Sequence, residues 1–185
     1  MINAAFHLEA VPEPCRILGL RLKPLSLGHY ILMQKFQCAF VADTPTAATL
    51  DDLLLGVLIC SMSYAEFLEF LDQEDFNAEI LEWGRRAGAF DLNEKSRRFL
   101  DYIKAGSALP PYWEESPGTA GGGHWSLALK VALTSELGYT HDEALNLPLV
   151  EGFLDYFKLA ENRGLVRLMT PDEVATLNAL EKEAA

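Results

Sequence analysis

The stretch TLDDLLLGVLICSMSYAE, residues 49–66, decides how the chain is read. It opens with Thr49, places Asp52 three residues on, runs apolar from Leu53 to Cys60 apart from Gly56, and repeats its opening with Ser63 and Glu66. A Ser, Thr or Asp followed at that spacing by an acid marks a helix start. The first side chain accepts a hydrogen bond from a free N–H of the opening turn, and the acid reaches back to the cap and meets the positive end of the helix dipole. Two such starts around a segment that is apolar nearly all round predict a buried helix over Leu50 to Met62 and a second helix from Tyr64 to Leu71.

The same pairing recurs outside this stretch at Asp91 with Glu94, Thr140 with Glu143, and Thr170 with Glu173, the last followed by Pro171, whose missing N–H is harmless in a first turn. Helical spacing of apolar residues predicts further helices at Leu27 to Cys38, Phe76 to Ala87, Leu92 to Lys104 and Pro171 to Lys182. After Pro148, the residues Leu149, Val150, Phe153, Leu154, Phe157 and Ala160 form one face of a helix that Gly164 should close. Trp125, Ala128, Leu129, Ala132 and Leu133 form another stripe; Leu127 and Val131 make that helix apolar nearly all round, so it is expected beside Leu50 to Met62 at the buried centre. The fold class is therefore mainly α, a compact bundle-like domain of about seven to eight helices.

Two segments depart from the pattern. In residues 16–23, Leu18, Leu20 and Leu22 alternate with Gly19, Arg21 and Lys23, which predicts a strand with one buried face, paired with residues 3–8 in a small N-terminal hairpin. Residues 106–123 hold three prolines and five glycines and should be a loop. The chain is read as a single domain, 1–185, in which this loop separates an N-terminal helical part (24–105) from a C-terminal one (124–185). Tyr112 and Trp113 are large for a mere linker; they either dock on the protein or wait for a partner.

The formal net charge is −12, and the excess acid lies beyond residue 45, since Glu9, Glu13 and Asp43 are balanced before it by Arg16, Arg21, Lys23 and Lys35. Such a surface disfavours nucleic acid and anionic membranes and favours a basic protein partner. Cys15, Cys38 and Cys60 are odd in number and form no CxxC pair, which fits a reducing compartment. With no secretory leader pattern at the N-terminus, the expected location is cytoplasmic.

Chemistry-bearing motifs are sparse. No phosphate loop, nucleophile elbow or paired-histidine metal helix occurs. His7, His29, His124 and His141 are scattered, and the cluster Thr140-His141-Asp142-Glu143 reads as a capped helix start rather than an acid/base site. No catalytic, metal or cofactor-binding residue is assigned.

The stretch Trp125 to Leu165 is a helix, then a Gly-Tyr-Thr turn, then Glu143-Ala-Leu-Asn-Leu-Pro-Leu149 leading into a long amphipathic helix. Together with Pro-Leu-Ser-Leu-Gly-His at 24–29, it resembles the tail assembly chaperones of bacteriophages and prophages. That resemblance implies a protein without a cofactor that keeps tape-measure and tail-tube components soluble and directs their polymerisation in the host cytoplasm. The function expected is thus non-enzymatic protein binding in tail morphogenesis, as an assembly chaperone or structural adaptor, and a homo-oligomer is possible. Candidate binding residues are Tyr112, Trp113, Leu147, Pro148 and Leu149. An acidic regulatory or inhibitor module covering a basic protein surface is the alternative, and a small hydrolase or metal enzyme using His29, His124 or His141 comes third.

Overall fold

A computed structural model describes residues 15–42, 44, 46–72, 76–86, 90–115 and 124–184. The described residues form a mainly α fold: α1 (Leu27–Lys35), a 3-10 turn (Ala39–Val41), α2 (Leu50–Ser61), α3 (Tyr64–Leu71), α4 (Phe76–Arg86), α5 (Leu92–Gly106), α6 (Trp125–Ser135), α7 (His141–Asn146), α8 (Leu149–Asn162) and α9 (Pro171–Ala184). Two small antiparallel ribbons accompany them, β1 (Arg16–Ile17) with β2 (Leu20–Arg21), and β3 (Tyr112–Glu114) with β4 (Val166–Leu168).

All five helix starts expected from the cap-and-acid pairing are present. Thr49, Ser63 and Thr140 close full capping boxes with Asp52, Glu66 and Glu143. Thr170 and Glu173 exchange the same two bonds. Asp91 accepts from the N–H groups of Asn93 and Glu94, while Glu94 turns to Lys95 and Arg98 instead of reaching back. Each cap satisfies a backbone donor of the opening turn that has no intrahelical partner, worth about 1 kcal/mol. Asp52 does more than cap: its Oδ1 also accepts from the Ala39 N–H at 2.9 Å, fixing the 3-10 turn against α2. Burial works against the Asp52 charge, and the hydrogen bonds from Thr49 and Ala39 outweigh it, so the carboxyl lies below its ordinary value.

The core is built around α2, whose Leu53, Val57, Ile59 and Cys60 are fully buried, with Leu27, Leu32 and Met33 of α1, Phe67 of α3, Phe99 of α5 and Leu133 of α6. Each such side chain contributes on the order of 1.5–3 kcal/mol of burial. Phe76, Ile80, Trp83 and Ala87 recur at helical spacing along the predicted helix Phe76 to Ala87, and of these Ile80 and Trp83 pack against this core. Ala87 and the Phe76 side chain lie outside the described residues.

Four expectations are corrected. The alternating residues 16–23 do not make one strand: the chain reverses at Leu18 and Gly19, which have φ of +50° and +82°, so β1 and β2 pair with each other inside the segment. Positive φ at both central positions is the geometry that fits a two-residue hairpin to strand twist. Residues 3–8 lie outside the described residues. Helix α1 stops at Lys35, short of Cys38, because Gln37 takes φ +54° and the N–H groups of Gln37 and Cys38 bond back to the carbonyls of Gln34 and Met33. That is a Schellman ending with glutamine where glycine is usual. Gly164 closes α8 in the same manner, as expected. The presumed loop 106–123 contains the last residue of α5 and the whole of β3. Finally, α6 is not a buried centre, since Leu127 and Val131 are 58% and 51% exposed.

Gly56 gives a quantitative check on the core. A Cβ there would stand 2.6 Å from Phe99 Cε1, and the Phe99 ring is itself held edge-on by Phe40 and stacked on Tyr102. Alanine gains about 1 kcal/mol of helix propensity over glycine, whereas overpacking costs about 1–3 kcal/mol. Gly56→Ala is expected to lose up to about 2 kcal/mol in urea denaturation, and Phe99→Leu in the same background to recover part of it. A stabilised Gly56→Ala chain would show that the ring has room to move.

Candidate interaction surface

The histidines are explained first by structure. His29 is the third residue of α1 and 2% exposed. Its Nδ1 accepts from the Ser26 N–H at 3.1 Å, while the Ser26 hydroxyl accepts from the His29 N–H at 3.3 Å. This is a capping box in which imidazole replaces the usual acid. Since Ser26 N–H can only donate and the Met62 carbonyl can only accept, Nε2 carries the proton and donates to Met62 O at 2.6 Å. The neutral ring thereby joins the start of α1 to the end of α2. Burial is the main cause that pushes its pKa down to about 4.

His124 caps α6: its Nδ1 accepts from the Ser126 N–H at 3.2 Å, and its Nε2 meets the Gln34 carboxamide of α1 at 2.7 Å. The ring lies beside Tyr30 and Trp125, and Trp125 continues to Phe153. His141 is exposed at the first position of α7, where Thr140 and Glu143 form the capping box that the helix-start reading requires. His7 lies outside the described residues. Among the described residues, no group of three His, Cys, Asp or Glu is placed to hold a metal ion.

The thiols are free, with Cys38 and Cys60 buried and Cys15 half-buried. Burial raises Cys38 to about 11 and lifts Cys60 well above the ordinary thiol range. A nucleophilic thiol needs the opposite shift. No helix of the described residues is long and apolar enough to cross a membrane.

The five candidate binding residues separate into two groups. Leu147, Pro148 and Leu149 face inward: Leu149 is 1% exposed and donates its N–H to Leu25 O at 2.7 Å, the Leu147 carbonyl accepts from Leu27 N–H at 3.4 Å, and Ser26 and Pro148 form an antiparallel bridge between them. Their backbone is engaged within the chain, and the Leu147 and Leu149 side chains pack on the core. Tyr112 docks as well, its ring 4.5 Å from that of Phe157. Trp113, next in the strand, points the other way and is 41% exposed. Alternation along β3 and β4 puts Tyr112, Val166 and Leu168 against the core and leaves Trp113, Leu165 and Arg167 on the outer face. Arg167 is held there by both oxygens of Glu173.

A second apolar surface was missed. Leu127 and Val131, one turn apart on α6, are joined by exposed Ala128, so the outward side of this helix is an apolar ridge. Its signal was visible as a helix apolar all round, which fits burial on both sides or a surface awaiting a partner; only the packing of neighbouring helices decides between them.

No family model, curated protein or solved structure matches the chain.

The His29 junction makes stability depend on acidity. Its folded-state pKa of about 4 lies below the ordinary 6.5. The unfolded chain therefore takes up the proton first, and stability present above pH 6.5 declines as pH falls toward 4, by about 3 kcal/mol over that window. In His29→Gln the part of the acid sensitivity between those values should disappear, at the expense of some stability at pH 7, because glutamine can still reach back to the cap but does not titrate. Urea midpoints measured every half unit read this directly; an unchanged slope in the variant would assign the acid sensitivity to other groups.

Proposed function

We propose that this chain is a non-enzymatic protein-binding factor of phage or prophage tail morphogenesis, an assembly chaperone or a structural adaptor for tape-measure or tail-tube components. The observation that carries the reading is the apolar ridge of Leu127, Ala128 and Val131 on α6. It lies within the stretch, Trp125 to Leu165, that resembles tail assembly chaperones. A holding factor must offer apolar surface to an unassembled partner while staying soluble itself. Here the net charge of −12 supplies the solubility, and the ridge supplies the contact.

The acidic-module alternative has one supporting observation. The Tyr139 hydroxyl donates to Asp155 Oδ2 at 2.6 Å and is pushed up to about 12, first by that bond, then by burial and by the charges of Asp155, Glu151 and Glu143. These three carboxylates on α7 and α8 form a negative patch. The two readings differ in salt response, since an apolar contact persists at high salt and a charge contact weakens.

Co-expression with the tape-measure and tail-tube proteins of the same replicon tests the proposal. The partner is expected in the soluble fraction and to co-purify at 0.5 M salt, a concentration at which the Debye length is only about 4 Å. Leu127→Glu with Val131→Glu should return the partner to the insoluble fraction without changing the chain's own unfolding midpoint. Indifference of the folded wild-type chain to every tail component would sink the tail reading, and loss of the complex at high salt would favour the acidic module.

A further inference from the structure

We propose that the open edge of β3 receives an extended, basic segment of a partner protein as a third strand. This rests on the protein-binding reading above and assigns to it a second surface, distinct from the α6 ridge. The pairing of β3 with β4 fixes which backbone groups are spent. Tyr112, Trp113 and Glu114 lie opposite Leu168, Arg167 and Val166, and the flanking bonds run from Met169 N–H to Pro111 O at 3.0 Å and from Glu115 N–H to Leu165 O at 3.1 Å. Hydrogen-bonded pairs alternate along an antiparallel ladder. Trp113 therefore turns its N–H and C=O toward Arg167, and Tyr112 and Glu114 turn theirs away, to the outer edge. No partner for those outward groups occurs among the described residues.

The other edge is treated differently. Leu168 also faces outward, and its N–H is taken by Glu161 Oε1 at 3.0 Å. A side chain thus closes β4, whereas no described residue closes β3 in this way. Unpaired strand edges invite a further strand, and proteins ordinarily block them.

Charge selects the occupant. Glu114 and Glu115 are exposed and form no ion pair with a described residue, Arg167 acting on Glu115 only through the longer-range field, and exposed Trp113 stands beside them. A second copy pairing edge to edge would bring two Glu114-Glu115 pairs together, on chains that each carry −12. Like charges across a ladder are destabilising, and opposite charges stabilise it. A strand that alternates apolar with Lys or Arg residues supplies the missing donors and acceptors, sets its basic side chains on the Glu114 face and lays its apolar ones over Trp113.

Blocked peptides of about six residues, the usual strand length, are the probes for the full chain: one alternating Val and Lys, one alternating Val and Glu, and the Val-Lys peptide N-methylated at alternate residues. The Val-Lys peptide is expected to shift Trp113 fluorescence and to slow exchange of the Tyr112 and Glu114 amides about tenfold; the other two should do neither. Glu114→Pro removes one outward donor and one charge and leaves the Trp113 N–H in place, so binding should weaken about tenfold; Glu115→Lys should weaken it at low salt. If Glu114→Pro fails to fold, the N-methylated peptide on the wild-type chain carries the same test. Equal binding of all three peptides, no binding of the Val-Lys peptide, or a sedimenting dimer with Tyr112 and Glu114 already protected would each overturn the assignment. Failure here with an intact tail-protein complex removes the edge site alone, whereas peptide binding without any tail partner removes the tail reading alone.

Discussion

Two helices begin back to back, and the rest of the molecule is arranged around that junction. Ser26 caps α1 and Pro148 precedes α8, and the two residues bridge as a minimal antiparallel pair with Leu149 N–H on Leu25 O and Leu27 N–H on Leu147 O. Nearby, α2 closes at its cap Met62, whose carbonyl accepts a hydrogen bond from His29 Nε2–H, and α3 starts at Tyr64, whose N–H donates to Asn146 Oδ1 at 3.2 Å. Helix ends carry several backbone groups without intrahelical partners. Burying several ends together is tolerable only because each end supplies what another lacks. Gly28 permits the approach: a Cβ there would lie 2.7 Å from the Leu145 carbonyl oxygen and 2.9 Å from the Tyr64 ring. Through this contact the helices before residue 106 and those after residue 124 share backbone hydrogen bonds.

How much of this was legible follows from how local each cause is. Starts set by a side chain three residues from its cap could be read directly, and all five pairs are where the spacing places them. The start at Leu27 was read from apolar spacing, but the Ser26 cap before it was not, because its third residue is histidine, a side chain that caps only when burial keeps it neutral. The α1 ending and the β1–β2 turn escaped for a common reason: Gln37 and Leu18 hold left-handed conformations that sequence assigns to glycine or asparagine. Strand β3 was hidden in a glycine- and proline-rich segment because its partner β4 is remote in sequence, and strand pairing across such a distance leaves no short-range periodicity.

The candidate surface was harder to read than the fold. Of the residues singled out for partner contact, those at 147–149 proved to be part of the junction, and Tyr112 part of the core's margin. Prolines and leucines between helices look alike from sequence whether they serve a partner or the chain itself. Trp113 stood out only because strand alternation turns it away from Tyr112. For α6, composition was informative about how apolar the helix is and silent about how many of its sides are covered. Exposure there depends on where α1 and α8 lie, which is a tertiary fact.

The two outward surfaces have different physics, and that difference bears on how a partner would be held. A ridge of Leu127, Ala128 and Val131 attracts by removing apolar area from water, which is non-directional, insensitive to salt and tolerant of many sequences. An open edge beside Glu114 and Glu115 attracts by directed backbone bonds and by charge, so it demands an extended segment and weakens as salt rises. A factor that must hold a client without fixing its fold gains from the first kind of contact, and one that must recognise a particular client gains from the second. On the proposed reading, with both on one small chain, the ridge would set how strongly an unassembled partner is retained, and the edge which partner is retained.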